Sequence, residues 1–197
     1  MNYKTEKERM LAGEPYNARD PQLLKIAHRA RDLLAAYAAT PSAETAARQE
    51  VLTSLLGGIG RNVWIEAPFF CNYGENIFIG NNVFVNYNCV FLDSNRITIG
   101  DNILFGPGVQ VYTATHPIDA RERFQPSDDG PESAQYTTRA LPVCIGSNVW
   151  LGGGAILMPG VQIGENSAIG AGAVVTESVP PNVFAAGNPC RIIREMK

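Results

Sequence analysis

Six aliphatic residues recur in the C-terminal half of the chain at a strict spacing of six positions: Ile145, Leu151, Leu157, Ile163, Ile169 and Val175. Three positions after each stands asparagine, glycine or serine (Asn148, Gly154, Gly160, Asn166, Gly172 and Ser178), and asparagine and glycine tolerate a positive backbone φ. Four positions after each stands a small or slim residue (Val149, Ala155, Val161, Ser167, Ala173 and Val179), which we expect at a tight corner. Each hexad therefore predicts a short strand with an inward aliphatic side chain, followed by a sharp turn.

A turn every six residues wraps the chain into a coil, and coils stacked about 4.8 Å apart share one apolar interior. The same pattern occurs upstream at Ile59, Ile65 and Cys71, at Ile79, Val85 and Phe91, and at Ile99, Phe105 and Val111. The upstream coils are twenty residues long, two more than the eighteen from Ile145 to Ile163. Three hexads per coil predict a triangular prism of roughly five coils. The alternative, a β-sandwich of short strands, does not explain six hexads in unbroken register.

The first 58 residues have a helical pattern instead. Thr5 and Glu8 form a capping box, and Asp20 followed by Pro21 predicts the start of a second helix. Ser42 is the predicted cap of a third helix that ends before two glycines. This segment either covers the open end of the prism or forms a wall of a binding site, and we favour the cover. The division is therefore 1–58 for the helical segment and 59–197 for the repeats.

The repeats are interrupted once, by the long loop 117–143, which begins directly after His116. Loops of this length inside a compact domain are usually functional. The chain has two histidines, and His28 lies on the second predicted helix beside two arginines. Because no Ser-His-Asp or Cys-His arrangement can be assembled from the remaining residues, His116 is the candidate catalytic residue.

Composition excludes several classes of function. The formal net charge is −3, from 16 basic and 19 acidic residues, so nucleic-acid binding is not expected. The N-terminus is charged and no apolar stretch approaches the length of a membrane-spanning helix, which predicts a cytoplasmic protein without membrane contact. The four cysteines lack metal-ligand spacing, so no metal is expected.

Six segments resemble the hexapeptide-repeat acyltransferases, and within them the maltose/galactoside O-acetyltransferase group. They are 10–16 (MLAGEPY), 73–77 (YGENI), 86–89 (NYNC), 114–118 (ATHPI), 148–153 (NVWLGG) and 186–193 (AGNPCRII). The resemblance covers nearly the whole chain. It implies a mainly β fold, a left-handed parallel β-helix that assembles as a homotrimer. Acetyl-CoA then lies between neighbouring prisms, and each active site is shared by two chains.

The same resemblance assigns roles to individual residues. His116 is the general base that removes the proton of an acceptor hydroxyl, and Asn86 orients the reacting groups. Asn72 and Asp93 match positions that contact a sugar acceptor. The positions that match the coenzyme site are Trp150, Gly153, Ala171, Thr176, Arg191 and Arg194. Two departures argue against a galactoside acceptor: Asp93-Ser94 replaces an acidic pair, and Ala27 replaces the first basic residue of a helix motif.

The resemblance predicts an acetyl-CoA-dependent O-acetyltransferase that acts on a maltose-like or glucoside-like sugar. A chloramphenicol-type xenobiotic acetyltransferase is the main alternative, because that group shares the prism and the loop histidine. A carbonic anhydrase of the γ-class type needs three histidine ligands for zinc, and the repeats contain one. A non-catalytic β-helix scaffold would not need a histidine at the loop.

Overall fold

The computed structural model describes residues 3–124 and 134–196. The helices are α1 (Glu6–Leu11), α2 (Pro21–Ala39), α3 (Thr45–Leu55) and α4 (Ala120–Arg123). The strands before the loop are β1 (Gly58–Ile59), β2 (Val63–Ile65), β3 (Phe69–Cys71), β4 (Ile77–Ile79), β5 (Val83–Val85), β6 (Cys89–Leu92), β7 (Ile97–Ile99), β8 (Ile103–Phe105), β9 (Gln110–Tyr112) and β10 (Ala114–Thr115). Those that follow are β11 (Arg139–Ala140), β12 (Val143–Ile145), β13 (Trp150–Leu151), β14 (Ile156–Leu157), β15 (Gln162–Ile163), β16 (Ala168–Ile169), β17 (Val174–Val175), β18 (Val183–Ala186) and β19 (Arg191–Glu195). Over the described ranges, no helix has the length and hydropathy needed to cross a membrane.

Three parallel sheets form the faces of a triangular prism. Sheet 1 has the order β1-β4-β7-β12-β15, and sheet 3 has the order β3-β6-β9-β14-β17. Sheet 2 has the order β2-β5-β8-β13-β16-β18, with β19 added antiparallel to β18. We call the corner between sheets 1 and 2 the first edge and the corner between sheets 2 and 3 the second edge. The third edge is the corner where the chain passes from sheet 3 to the next strand of sheet 1. Sheet 2 contains six parallel strands, so the prediction of roughly five coils was one short.

The twenty-residue coils are confirmed by strand register, since Ile59 pairs with Ile79 and Ile79 with Ile99. The two extra residues of each coil lie on the third edge, because the spacing from Cys71 to Ile79 is eight whereas the spacing across the other two edges is six. The long loop leaves the prism at this same edge, between β9 and β12. The third edge is therefore where the repeat is interrupted.

The predicted inward aliphatic residues fill one continuous core. Asparagines and glycines at the predicted turn positions have positive φ, from Asn62 and Gly74 through Gly172, but Ser178 is not among them. The small residues lie at the corners, as predicted: Val149, Ala155 and Ala173 each stand between a turn residue with positive φ and the next strand. Their side chains are also buried in the core, because alternation turns the residue before an outward side chain inward.

The N-terminal segment packs in two places. Tyr37, Leu52 and Leu55 join the prism core and cover its first coil. Met10, Leu23 and four other buried residues form a second cluster, which includes Tyr73 and Ala140 at the third edge. The segment therefore both covers the open end and lies beside the loop.

The predicted caps of the first two helices are confirmed. The predicted cap of the third helix is wrong, because Ser42 lies within a turn in which the Glu44 N–H donates to the Pro41 carbonyl. The helix begins only at Thr45, and no side chain caps it.

Candidate active site

Asp93 is a buried residue of the third edge that accepts hydrogen bonds from the backbone of this edge. Its carboxylate is fully buried, and its Oδ1 accepts the backbone N–H groups of Asn72 and Tyr73, each at 2.9 Å. Its Oδ2 accepts the N–H of Asn76 at 3.3 Å. Burial raises the pKa of Asp93 to about 7, although these backbone donors act in the opposite direction. Asp93 thus holds the turn that presents Asn72, and a direct contact between Asp93 and the acceptor stays a prediction.

Asn95 connects three parts of the chain and was not found by sequence reasoning. Its buried Nδ2 donates to the carbonyls of Met10 and Leu11 at 3.2 Å and to that of Ala140 at 2.9 Å. Its backbone N–H donates to Thr113 Oγ1 at 2.8 Å. One amide therefore ties the end of α1 and the base of the loop to the third edge.

The base of the loop is a short antiparallel ladder of β10 and β11, directly before His116. Beyond it, Asp119 accepts the N–H of Arg121 and caps α4. The Thr137 hydroxyl donates to the Glu122 carbonyl at 2.8 Å, and the Thr137 N–H donates to the Arg123 carbonyl at the same distance. Thr137 is thus fixed against α4.

The carbonyl of Thr137 in turn fixes His116. The distance from His116 Nδ1 to the Thr137 oxygen is 2.8 Å, and a carbonyl only accepts, so Nδ1 carries the proton. The lone pair of the neutral imidazole is then on Nε2. The ring of Tyr136 stands edge-on to the imidazole, with 5.5 Å between centroids. His116 is therefore held as a base with a defined tautomer.

A polar cavity of about 270 Å³ lies beside His116. Its wall combines the N-terminal segment with the third edge and the loop: Tyr16, Ala18, Leu24, Ala27, Arg31, Asn72, Tyr73, Ser94, Ala114, His116, Tyr136 and Thr138. The predicted acceptor residue Asn72 is among them, and its Nδ2 donates to Ser94 Oγ at 3.3 Å. The N-terminal segment thus forms part of the wall of the candidate site. The sequence alone left open whether this segment only covers the prism or also forms such a wall.

Asn86 and Gly153 lie elsewhere, on the second edge. Asn86 Oδ1 accepts the Tyr87 N–H at 2.8 Å, which leaves the amide Nδ2 as the outward donor. The Gly153 N–H has no acceptor among the backbone bonds of the described residues. A Cβ at Gly153 would lie 3.2 Å from the Pro107 carbonyl oxygen, so the stacked corner favours glycine here. A single chain therefore does not bring these two residues together with His116.

The remaining predicted coenzyme residues continue along the prism toward its C-terminal end. Ala171 follows Gly153 on the second edge, one coil further, and Trp150 is 56% exposed on the outer face of sheet 2. Thr176 is exposed after β17, and Arg191 lies 4.0 Å from the neighbouring Glu177 carboxylate. Arg194 lies over the ring of Phe184 at 5.8 Å. These residues form a series of exposed positions, separate from the cavity beside His116.

Comparison with known proteins agrees with this architecture. A family described as the maltose acetyltransferase hexapeptide capping motif matches residues 9–60, and the bacterial transferase hexapeptide (six repeats) matches residues 145–177. The galactoside O-acetyltransferase of Escherichia coli is 36% identical over 96% of this chain and 88% of its own length. The chain belongs to the maltose and galactoside O-acetyltransferase family. It is thus an acetyltransferase of the hexapeptide-repeat class, and the resemblance seen in the sequence is confirmed.

Solved structures of this family superpose over nearly the whole chain. A maltose O-acetyltransferase from Clostridium difficile has a TM-score of 0.91 at 43% identity, with complete coverage of both chains. An acetyltransferase from Vibrio cholerae, in complex with acetyl coenzyme A, has a TM-score of 0.86 at 34% identity and covers 98% of this chain and 100% of its own. The N-terminal helices and the prism thus form one architecture within this acetyltransferase family.

Proposed function

We propose that this protein works as a cytoplasmic homotrimer and transfers the acetyl group of acetyl-CoA to a hydroxyl of a maltose-like or glucoside-like sugar. His116 is the general base. The observation that carries this proposal is the hydrogen bond from His116 Nδ1 to the Thr137 carbonyl, which leaves Nε2 as an acceptor beside a polar cavity. Imidazole is the side chain that most often acts as a general base in enzymes.

The reaction proceeds by direct attack. The acceptor oxygen forms a bond to the thioester carbonyl carbon while Nε2 of His116 takes the hydroxyl proton. The tetrahedral intermediate then breaks its carbon–sulfur bond, and the imidazolium returns the proton to the leaving thiolate of coenzyme A. The Thr137 carbonyl favours the imidazolium because it accepts a hydrogen bond from Nδ1 throughout. No acetyl-enzyme is formed.

The site requires a second copy of the chain, because Asn86 and Gly153 lie on a different edge from His116. The neighbour's second edge then meets the third edge that carries the loop. Trp64, Leu104 and Trp150 support this arrangement, since they lie in one register column of sheet 2 and are 42%, 53% and 56% exposed. Exposed apolar columns of this kind are typical of association surfaces.

Across that interface, the Asn86 Nδ2 donor orients the acetyl group, and the Gly153 N–H stabilises the negative charge that develops on the thioester oxygen. Trp150, Ala171 and Thr176 line the path of the pantetheine arm. Arg191 and Arg194 bind phosphates of the coenzyme through their guanidinium groups. On the acceptor side, Asn72 contacts sugar hydroxyls, with Asp93 beneath it.

One assay tests the proposed acceptor class: release of free thiol from acetyl-CoA in the presence of glucose, maltose, methyl glucoside, a galactoside and chloramphenicol. We expect glucosides and maltose to give the highest kcat/KM and chloramphenicol to be poor. The reason is that a site built to hydrogen-bond hydroxyls rejects acceptors that leave its polar groups unpaired. Rapid turnover of chloramphenicol without turnover of any sugar would support the xenobiotic alternative instead.

A further inference from the structure

The cavity beside His116 has an unbalanced charge. Among its described lining residues, Arg31 is the one permanently charged side chain, and none is an aspartate or glutamate. The other polar residues around it, such as Asn72 and Ser94, are neutral. The cavity is therefore positively charged at one wall and polar elsewhere.

Arg31 reaches this wall because of its place on α2. Leu24, Ala27 and Arg31 are three or four positions apart, so they share one helix face, and all three line the cavity. The small side chain of Ala27 leaves space in front of the guanidinium. Burial, Tyr16 and Asp93 raise the pKa of Tyr73, and the charge of Arg31 lowers it. The positive charge of Arg31 therefore acts on the interior of the site, where it opposes the charge of Asp93.

Some other cations of the N-terminal segment have carboxylate partners, although those on α2 and α3 have none within the described residues. Lys7 lies 2.6 Å from Glu75, and Arg9 lies 3.4 Å from Glu6. Arg31 has no carboxylate partner within the described ranges, and its Nη1 lies 3.3 Å from the His28 ring. Because Arg31 is exposed, water solvates its charge in the free protein. An anion that enters the cavity can replace that water with a charge-assisted hydrogen bond.

A second polar group in the same wall has no partner. Thr138 is 95% buried, with a relative exposure of 5%, and its Oγ1 makes no hydrogen bond within the described structure. A buried hydroxyl without a partner is unusual in native proteins. Thr138 lies among the lining residues of the cavity, so rotation of its side chain about the Cα–Cβ bond would turn the buried Oγ1 toward a ligand oxygen.

We propose that the preferred acceptor is an anionic sugar derivative whose carboxylate or phosphate is bound by Arg31. This proposal rests on the sugar O-acetyltransferase activity proposed above and narrows its acceptor. A guanidinium also hydrogen-bonds neutral hydroxyls, but its planar pair of N–H donors matches a carboxylate or phosphate bidentately and binds it more strongly. No carboxylate is among the described lining residues, and the carboxyl group of Asp93 behind Asn72 is buried, which raises its pKa, favours its neutral form and limits the repulsion of such a ligand.

The test compares matched acceptors in the thiol-release assay. Methyl glucoside is the neutral reference, carboxymethyl glucoside and glucose 1-phosphate place an anion at C1, and methyl glucuronoside and glucose 6-phosphate place one at C6. Each ring hydroxyl is free in at least one anionic member, and the two chemistries are measured separately. Each acceptor is assayed with the wild type, Arg31→Gln, Arg31→Lys and Lys25→Gln, the last being an exposed charge on the same helix outside the cavity.

We expect one anionic acceptor to have a kcat/KM about 10- to 100-fold above that of methyl glucoside, the range of one charge-assisted hydrogen bond. Arg31→Gln should remove this advantage, because it should lower kcat/KM for the anionic acceptor about tenfold or more beyond any loss for methyl glucoside. Arg31→Lys should keep part of the advantage, and Lys25→Gln should keep all of it.

The proposal is overturned if methyl glucoside is the best acceptor, or if Arg31→Gln lowers kcat/KM equally for neutral and anionic acceptors. Turnover of neutral sugars alone contradicts the anionic acceptor and leaves the sugar acetyltransferase intact. Absence of thiol release with every sugar contradicts both proposals together.

Discussion

The first and third edges of the prism are built from the same hexads but have opposite character. The first edge repeats one residue: Asn62, Asn82, Asn102, Asn148, Asn166 and Asn182 all have positive φ. Each of the first five donates from Nδ2 to Oδ1 of the next asparagine, at 2.8 to 3.1 Å. Among the residues that the structure describes, the third edge has no such ladder. It contains the two-residue insertions and the long loop.

This difference shows what an insertion requires. A regular corner satisfies its backbone groups by stacking on the identical corner of the next coil. An irregular corner loses those partners, and buried backbone groups without partners are costly. Asp93 and Asn95 supply the missing partners on the third edge, as buried side chains bonded to backbone groups. The same irregularity opens the cavity beside His116, so the candidate site lies where the repeat is broken.

The largest expected effect is on the third edge. His116→Ala should lower kcat by about 10² to 10⁴, the usual contribution of a general base, without a change in thermal stability. The affinity for acetyl-CoA, measured by titration calorimetry, should stay close to that of the wild type. A variant that kept full turnover would exclude His116 as the base.

A mixing experiment sharpens this prediction, because the shared site joins the third edge of one copy to the second edge of its neighbour. Asn86→Ala alone should also lose activity. The His116→Ala and Asn86→Ala variants are unfolded, mixed in equal amounts and reassembled into trimers. About one quarter of the sites should then regain activity, because these sites combine an intact His116 with an intact Asn86 from the neighbour. If both residues acted within one chain, mixing would restore nothing.

Asn95→Ala should have the next largest effect. It removes one donor from the carbonyl groups of Met10, Leu11 and Ala140, of which the Met10 carbonyl still accepts the Gly13 N–H. We expect the free energy of unfolding in urea to fall by about 3 kcal/mol, the upper range for a buried unpaired group. Since the same amide holds the base of the loop, kcat should fall as well. An unchanged unfolding midpoint would show that water replaces the amide.

The regular part of the molecule was predictable from the sequence because each hexad carries its own structural information. The inward aliphatic residues and the asparagine or glycine turns are local features that repeat, so six hexads determine the prism. The position of His116 at the loop was predictable because the amino-acid sequence itself shows where the repeat is interrupted. Asn72 lies beside the cavity, and its contact with the acceptor stays a prediction.

The partners of these residues were not predictable in the same way. Thr137 is 21 positions from His116, and Asn95 bonds to residues 45 to 85 positions away. Such contacts depend on how the loop folds back over the N-terminal segment, and no periodic pattern encodes them. Ser42 failed as a cap for a related reason: a good cap residue acts only where the chain direction lets its side chain reach the first turn.

Asp93 should make stability depend on pH. Its pKa is about 7 in the folded protein, above the ordinary value near 4, so the folded state keeps a proton that the unfolded state has lost between these values. The free energy of unfolding should therefore fall by about 2 kcal/mol as pH rises from 5 to 7. Urea unfolding at both pH values measures this, and Asp93→Asn should make the difference between them smaller. A larger difference in that variant would contradict the assignment.

The smallest effect is expected on the first edge, and it separates the two roles of an asparagine there. Asn102→Ala removes two ladder hydrogen bonds and also forces a residue with Cβ and no polar group into positive φ, at a combined cost of about 2 kcal/mol. Asn102→Gly removes the same bonds without the backbone strain, so its cost should be about 1 kcal/mol or less. Neither variant should change kcat, because sheet 1 separates the first edge from the third edge, where the cavity lies. A loss of turnover in Asn102→Gly at unchanged stability would show that the regular edge also shapes the site, and the contrast between the two edges would no longer hold.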